Sequence, residues 1–141
     1  MARNVFSFMA LEHEELTGAI IGAAIAVHRE LGPGFVESIY ESALVIELEA
    51  RGIPHTRQLV VPVSYRGVVV GTHRLDLFVE DTIVVELKAV REIADAHFAV
   101  VRSQLCASGC RHGLILNFAK PTLEVKRVVA PERSVPAFLP S

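Results

Sequence analysis

The spacing of apolar residues along the chain changes at residues 52–54, which contain a Gly and a Pro. Before them apolar residues recur with the period of a helix, and after them apolar and polar residues alternate as in a strand. Before this point the spacing predicts two helices, one over residues 17–31 with Thr17 as its N-cap and one over residues 35–51. A Gly-Pro-Gly sequence at 32–34 separates them. The first helix carries one apolar stripe, formed by Leu16, Ile20, Ala24, Val27 and Leu31. Both helices therefore precede every strand.

After this change the alternation predicts three strands joined by short turns. The first, over residues 59–65, contains Pro62, which lacks a backbone donor and so favours a sheet edge or a bulge. An Arg-Gly turn at 66–67 leads into the second strand, 68–79, and a short connection leads into the third, 83–88. Three consecutive strands joined in this way predict an antiparallel meander.

The remaining pattern adds a third helix over 95–108, closed by Gly109, and two strands over 112–118 and 123–129. The predicted class is α/β, with the element order ααβββαββ. Because the third helix stands between the third and fourth strands, it permits a crossover, and the sheet is expected to be mixed with helices packed on it.

Length and charge limit what the chain can be. Its 141 residues suffice for one domain, which we divide into an N-terminal extension (1–14), a domain (15–129) and a Pro-rich tail (130–141). With 51% hydrophobic and 21% charged residues, disorder and coiled coil are excluded, and a net charge of −2 argues against nucleic-acid binding by bulk charge. Residues 51–141 nevertheless hold twelve bases and eight acids, so an anionic partner is expected there.

No segment is predicted to cross a membrane, because the apolar run Ala19–Val27 has about half of the ~20 residues that a span needs. Residues 1–16 make a poor secretory signal. Cys106 and Cys110 are too few for a disulfide framework or a structural zinc site, which favours reduced thiols. We therefore expect a cytoplasmic protein, and the high apolar fraction predicts a homodimer.

The second and third strands bring four charged residues together. A three-residue loop at 80–82 would set the register so that Asp76 lies opposite Glu86. Arg74 would then lie opposite Lys88 on the same face. The other face is apolar and is predicted to be core: Leu75, Leu77, Val79, Ile83, Val85 and Leu87.

Two interpretations of this charged face are open. It can be the solvated face of an amphipathic hairpin, in which diagonal pairs such as Asp76 with Lys88 offset the repulsion between like charges. Alternatively, a divalent cation can bridge Asp76 and Glu86, whose Cβ atoms would lie ~4.5–5.5 Å apart. Phe78 and Val84 on the same face favour a partly enclosed site.

These residues resemble a known pattern. An aspartate followed by Glu-x-Lys on the next antiparallel strand, in this order of elements, is similar to the PD-(D/E)xK nuclease superfamily. More narrowly, Gly34–Tyr40 matches the motif of the GxxExxY protein family. Further matches are Glu41, Arg74-x-Asp76, Val85–Val90, His97 and residues 113–118. The resemblance covers most of the chain and implies a restriction-endonuclease-like core, with an antiparallel three-strand meander in a mixed sheet flanked by helices.

The resemblance implies a metal-dependent phosphodiesterase that acts on nucleic acid, with DNA expected rather than RNA. Asp76 and Glu86 would bind Mg²⁺ or Mn²⁺, which polarises a phosphoryl oxygen and lowers the pKa of a bound water. Lys88 would orient that water and offset the charge that develops on the phosphoryl group. Glu37 is either a supporting metal ligand or an acid stabilised at a helix N-terminus by the helix dipole.

Four further residues are candidate substrate contacts, each with a structural alternative. Arg74 can bind a phosphate or pair with Glu86. His97 can contact phosphate or backbone, and Tyr40 can reach substrate or pack with its hydroxyl tethered. Gln104 lies one turn beyond the position where the family carries a glutamine, which is Val100 here, so it either reaches the substrate by another route or the site is partly lost.

Three hypotheses about function follow. The first is a nuclease dependent on Mg²⁺ or Mn²⁺, and the second is a nucleic-acid-binding or regulatory module with a decayed site, motivated by the displaced glutamine. The third is an oligomeric interaction protein, motivated by the apolar fraction and by Phe138 and Leu139 in the tail. A glycine-rich phosphate loop, a nucleophile elbow and a dinucleotide fingerprint are absent from the sequence, which disfavours nucleophilic and cofactor enzymes.

Overall fold

The computed structural model describes residues 5–131, with side chains described from His13 onward. Within this range the elements follow the predicted order. They are α1 (Val5–Leu31), α2 (Glu37–Ala50), β1 (His55–Tyr65), β2 (Val68–Val79), β3 (Ile83–Lys88), α3 (Asp95–Ser108), β4 (His112–Asn117) and β5 (Glu124–Val129). Nearly all of the predicted tail lies outside the described residues, including Phe138 and Leu139.

The five strands form one mixed sheet in the order β1-β2-β3-β4-β5. Only β3 and β4 are parallel, and α3 supplies the crossover between them. β1 lies at the edge, as Pro62 predicted, and its ladder with β2 shifts register between Val63 and Ser64. The turn between β1 and β2 is formed by Arg66 (φ 51°) and Gly67 (φ 78°), two left-handed residues of the kind that tight hairpins require.

The two faces of the sheet carry separate cores. α1 and α2 cover one face, and their buried side chains pack against alternate residues of β2, β3 and β4. α3 covers the other face. This second core consists of Val61, Leu75, Phe78, Val84, Val101, Leu105, Ile115, Val128 and Ala130. The predicted architecture, a sheet flanked by helices, is confirmed.

The predicted start of the first helix is wrong. α1 begins at Val5, and Thr17 lies buried inside the helix rather than at its N-cap. The residues before Thr17 include Met, Ala, Leu and Glu and contain neither Pro nor Gly, so they continue the helix.

The hairpin between β2 and β3 has the predicted loop and register. The Thr82 N–H donates to the Val79 carbonyl at 2.9 Å across the three-residue loop. The pairs formed are Val79–Ile83, Phe78–Val84 and Leu77–Val85. The ladder ends there, so the predicted direct pairs of Asp76 with Glu86 and of Arg74 with Lys88 are not formed.

A distortion beside Asp76 accounts for the early end of this ladder. In β1, Gln58 has a φ of 55° and forms no ladder pair with Asp76, although the residues on either side pair regularly. The alternation of β2 breaks at this point. Leu75 consequently packs in the second core with Phe78, and its predicted place on the face of Leu77 is wrong.

Candidate active site

The candidate site lies where β2 and β3 separate. Asp76 stands on β2 just beyond the last paired residue, and Glu86 and Lys88 stand on β3. The Leu87 N–H donates to the Asp76 carboxylate at 2.9 Å, so a side chain takes the place of the missing ladder bond. Because the ladder ends at Leu77 and Val85, Asp76, Glu86 and Lys88 all lie beyond the paired part of this hairpin.

Glu86 is a buried carboxylate with weak hydrogen bonding. Its side chain accepts a hydrogen bond from the Gln104 amide at 3.4 Å and lies 3.6 Å from the Lys88 Nζ. Charged hydrogen bonds are ordinarily about 2.7–2.9 Å long, so neither contact compensates the buried charge fully. Burial, followed by the negative charge of Asp76, raises the pKa of Glu86 to about 7.

Asp76 is in a similar environment. Burial raises the pKa of its carboxyl, although the hydrogen bond from Leu87 opposes this effect. The negative charges of Glu41 and Glu37 raise it further, while Lys88 lowers it. The site therefore gathers acidic side chains around one lysine and has an excess of negative charge.

The side chains fit a hard divalent cation at two carboxylates rather than three. Among the residues with described side chains, no three His, Cys, Asp or Glu groups converge as a metal cluster. Glu37 is exposed and accepts a long hydrogen bond (3.4 Å) from the Ala89 N–H, so the predicted three-carboxylate ligand set is not assembled. Asp76 and Glu86 supply the oxygen donors that Mg²⁺ and Mn²⁺ prefer. The Gln104 Oε1 is the buried side-chain polar atom of the described chain that has no partner, and it adds an oxygen acceptor beside them.

Glu41 supports the site in a way that sequence reasoning missed. It is only 7% exposed and accepts hydrogen bonds from Arg57 Nε at 2.6 Å and Gln58 Nε2 at 2.7 Å. The second of these bonds connects α2 to Gln58, the left-handed residue of β1 that is not paired with Asp76. The available signal was its position four residues after Glu37, which places both acids on the same face of α2.

Comparisons with known proteins agree with this geometry. Residues 14–128 match the family model of the PD-(D/E)XK nuclease superfamily. The chain belongs to this superfamily. Comparison with curated proteins finds no match.

A solved structure, described as "Crystal structure of SSO0001", is similar to this chain with a TM-score of 0.55 at 16% sequence identity. The alignment covers 68% of this chain and 50% of that chain, so the protein spans half the length of this neighbour. At this identity the likeness concerns the fold, and together with the family match it confirms the predicted restriction-endonuclease-like core. No helix of residues 5–131 has the length and apolar character needed to cross a bilayer.

Asn117 anchors the segment that follows the superfamily's Glu-x-Lys strand. It is fully buried and exchanges two hydrogen bonds with the backbone of Val90, at 2.8 and 3.0 Å. The Lys88 carbonyl accepts a further bond from the Phe118 N–H at 2.9 Å. These contacts fix the end of β3 and so position Lys88. A polar residue in an otherwise apolar strand was the sequence signal for this role.

Tyr40, predicted as a substrate contact, has a structural role in this member of the superfamily. Its side chain is fully buried and stacks on Phe118 with ring centroids 4.5 Å apart. Its hydroxyl donates to the Gly32 carbonyl at 2.6 Å and accepts from the Phe35 N–H at 3.2 Å. These contacts correspond to the predicted alternative, in which the side chain packs with its hydroxyl tethered. Tyr40 instead holds the loop that leads into α2.

Replacing Tyr40 with Phe should lower the free energy of unfolding by about 1–3 kcal/mol, because the variant keeps the stacked ring but leaves two backbone groups of the loop without a partner. Urea unfolding followed by circular dichroism measures this change. Tyr65→Phe is the control, since Tyr65 is 64% exposed and its variant should differ from wild type by less than about 0.5 kcal/mol. Equal stabilities of all three proteins would refute the role of the tethered hydroxyl.

The other three predicted substrate contacts lie in different environments. Arg74 is exposed on β2, and the side chains that contact the Glu86 carboxylate are Lys88 and Gln104 rather than Arg74. His97 accepts a hydrogen bond from the Ala94 N–H at 2.9 Å, which is the predicted backbone alternative. Gln104 is 3% exposed and contacts Glu86, whereas Val100 is 43% exposed. Gln104 therefore reaches the carboxylate rather than the protein surface.

Proposed function

We propose that the protein is a divalent-metal-dependent nuclease that hydrolyses phosphodiester bonds in nucleic acid, with DNA preferred over RNA. The observation that carries this proposal is the pair of carboxylates formed by the partly buried Asp76 and the buried Glu86, which stands where the β2–β3 ladder ends and has only Lys88 to lower both pKa values by its charge. Membership of the superfamily supports nuclease chemistry. The motif Gly34–Tyr40 supports the narrower assignment to the GxxExxY family.

Each side chain has a distinct part in the proposed reaction. Asp76 and Glu86 would hold Mg²⁺ or Mn²⁺, and the bound ion would supply Lewis acidity and an acidic water. The Gln104 amide donates the long hydrogen bond (3.4 Å) that Glu86 accepts. The Lys88 ammonium, which is only partly exposed, stabilises negative charge on the phosphoryl oxygens as the bond breaks. Arg74, which is exposed on β2 two residues before Asp76, would bind a neighbouring phosphate.

Lys88→Ala should reduce cleavage by about 100-fold, because it removes the cation that offsets charge in the transition state. The assay follows labelled single- and double-stranded DNA and RNA on gels, with Mg²⁺, Mn²⁺ or EDTA. Wild type and variant are purified in parallel, so that contaminating nuclease appears in both. Cleavage by wild type alone, lost in EDTA, is the expected result. Equal cleavage by both proteins would contradict the proposed role of Lys88.

The second candidate function is a nucleic-acid-binding or regulatory module with a decayed site. It is favoured by Val100, which stands exposed on α3 where the family pattern has a glutamine. This function predicts nucleic-acid binding in EDTA without cleavage under any condition. If Val100→Gln then confers cleavage on an inactive wild type, the decay of the site is established.

Three predictions from the sequence remain proposals. They are the domain over residues 15–129, a cytoplasmic location and a homodimer. Sedimentation of the purified chain measures its assembly state, and cell fractionation measures its location. The oligomeric interaction hypothesis additionally predicts that deleting residues 130–141 changes the sedimentation coefficient.

A further inference from the structure

The hairpin of β1 and β2 is about twice as long as the rest of the sheet. These strands have 11 and 12 residues, whereas β3, β4 and β5 have six each. Since β2 pairs with β3 only over Leu77–Val79, the remaining part of the hairpin has no further strand beside it in the described chain. We name this part, residues 59–75, the β-arm. At ~3.4 Å per residue, its β2 strand from Val68 to Leu75 spans about 27 Å.

The β-arm is anchored at its base and free at its tip. Val61 and Leu75 are buried against α3, and His73 Nε2 is 2.9 Å from the Ser103 hydroxyl. Beyond these contacts, residues 64–72 are all exposed. The base of the β-arm leads directly to Asp76, so its buried end adjoins the candidate active site.

The surface of the β-arm is basic and apolar. It contains Arg66, His73 and Arg74 and no acidic residue, although the whole chain has 16 acids in 141 residues. The Arg66 guanidinium lies over the Tyr65 ring, 5.6 Å from its centroid, at the tip. Three consecutive valines there are about 60% exposed each: Val68, Val69 and Val70.

We propose that the β-arm binds in a groove of double-stranded DNA and so holds a phosphodiester against the site at its base. A two-stranded ribbon fits the major groove of B-form DNA, whose width is about 12 Å. Arg66 and Arg74 supply the charge that phosphates attract, and the exposed valines supply apolar groups of the kind that contact thymine methyls. Double-stranded RNA is a poorer partner because its major groove is deep and narrow. The identity of the reacting bond rests on the proposed function, whereas the binding does not.

The test measures binding in EDTA, so that catalysis plays no part. Fluorescence anisotropy follows a labelled DNA duplex titrated with protein at several salt concentrations. Arg66→Asn is the informative variant, because Asn-Gly is itself favoured in this tight turn, so the turn is kept while the guanidinium is removed. We expect roughly tenfold weaker binding and a salt slope reduced by about 1. Arg66→Lys should bind as wild type does, and so should Arg127→Gln on β5 at the opposite sheet edge.

Several outcomes would overturn the proposal. One is wild-type affinity in Arg66→Asn, and another is equal binding of duplex RNA and duplex DNA. A third is the loss of duplex binding in Val69→Lys, because this variant adds a positive charge to the arm and should retain binding if the β-arm binds DNA. If that variant instead turns a wild-type dimer into a monomer while Arg66→Asn binds normally, the arm is an interface between two copies.

The failure of this proposal is distinguishable from failure of the proposed function. Wild-type hydrolysis of bis(p-nitrophenyl) phosphate with Mn²⁺ tests the chemistry on a substrate too small to contact the arm and the site together. Hydrolysis with no arm-dependent DNA binding would leave the nuclease and remove the arm's role. DNA binding that depends on the arm, without hydrolysis of the small substrate, would support the role of the arm and contradict the proposed nuclease activity.

Discussion

Glu86→Gln should reduce metal-dependent cleavage of nucleic acid by about 10³-fold or more. The substitution keeps the shape of the side chain but removes one of the two carboxylates proposed to hold the cation, and metal stabilisation of a phosphoryl transfer is worth several kcal/mol. Initial cleavage rates at pH 8 with saturating Mn²⁺ measure the effect. Glu80→Gln is the matched control, because Glu80 is an exposed acid in the β2–β3 loop.

Two results would contradict this role for Glu86. One is a variant that retains more than about a tenth of the wild-type rate. The other is an equal loss of activity in Glu80→Gln, which would indicate a general effect of charge rather than a metal ligand. Asp76→Asn should behave as Glu86→Gln does, because both carboxylates are needed for the same ion.

In EDTA the wild-type protein should lose stability as the pH rises from about 4.5 to above 7, and Glu86→Gln should lose much less. The folded protein raises the pKa of Glu86 from 4.5 to about 7, so it binds the proton more tightly than the unfolded chain does. The stabilisation is therefore fully present below pH 4.5 and is lost as the pH passes about 7. At pH 8 the variant should be more stable by about 1–3 kcal/mol. Urea unfolding at pH 4.5 and pH 8 measures the difference.

Metal ions provide the complementary measurement. Mn²⁺ should raise the melting temperature of the wild-type protein at pH 8 and leave that of Glu86→Gln nearly unchanged, because only the folded wild type binds the ion. The shift should shrink below pH 7, since protons compete for Glu86. Parallel pH profiles of the two proteins in EDTA would show that burial of the Glu86 charge does not destabilise the fold.

Local chemistry made much of the fold predictable. The Arg66-Gly67 turn and the loop at residues 80–82 each depend on a few adjacent residues, and the structure has both, with the predicted register over the three pairs next to the second loop. Pro62 likewise predicted the edge position of β1 from its missing donor. Predictions of this kind succeed because hydrogen-bond geometry over two to four residues depends little on the rest of the molecule.

Side-chain environments were less predictable. Tyr40 and Gln104 were both candidates for substrate contact. In the structure the Tyr40 hydroxyl is hydrogen-bonded to the loop backbone, and the Gln104 side chain is buried beside Glu86. Sequence spacing places such residues on a helix face. It does not say whether that face is covered, because the covering elements come from distant parts of the chain.

The sequence by itself determined the order of elements, the turns and the Asp…Glu-x-Lys residues that carry the superfamily's signature. Only the tertiary structure decided that Asp76 leaves the ladder, because this depends on the left-handed Gln58 held by Glu41 of a different element. A prediction from the alternation of one strand assumes that its partner strand is regular. Here the partner strand contains Gln58, which is hydrogen-bonded to Glu41, a helical residue 17 positions earlier in the sequence. The position of Asp76 outside the β2–β3 ladder is therefore a property of the folded chain and not of the strand's own sequence.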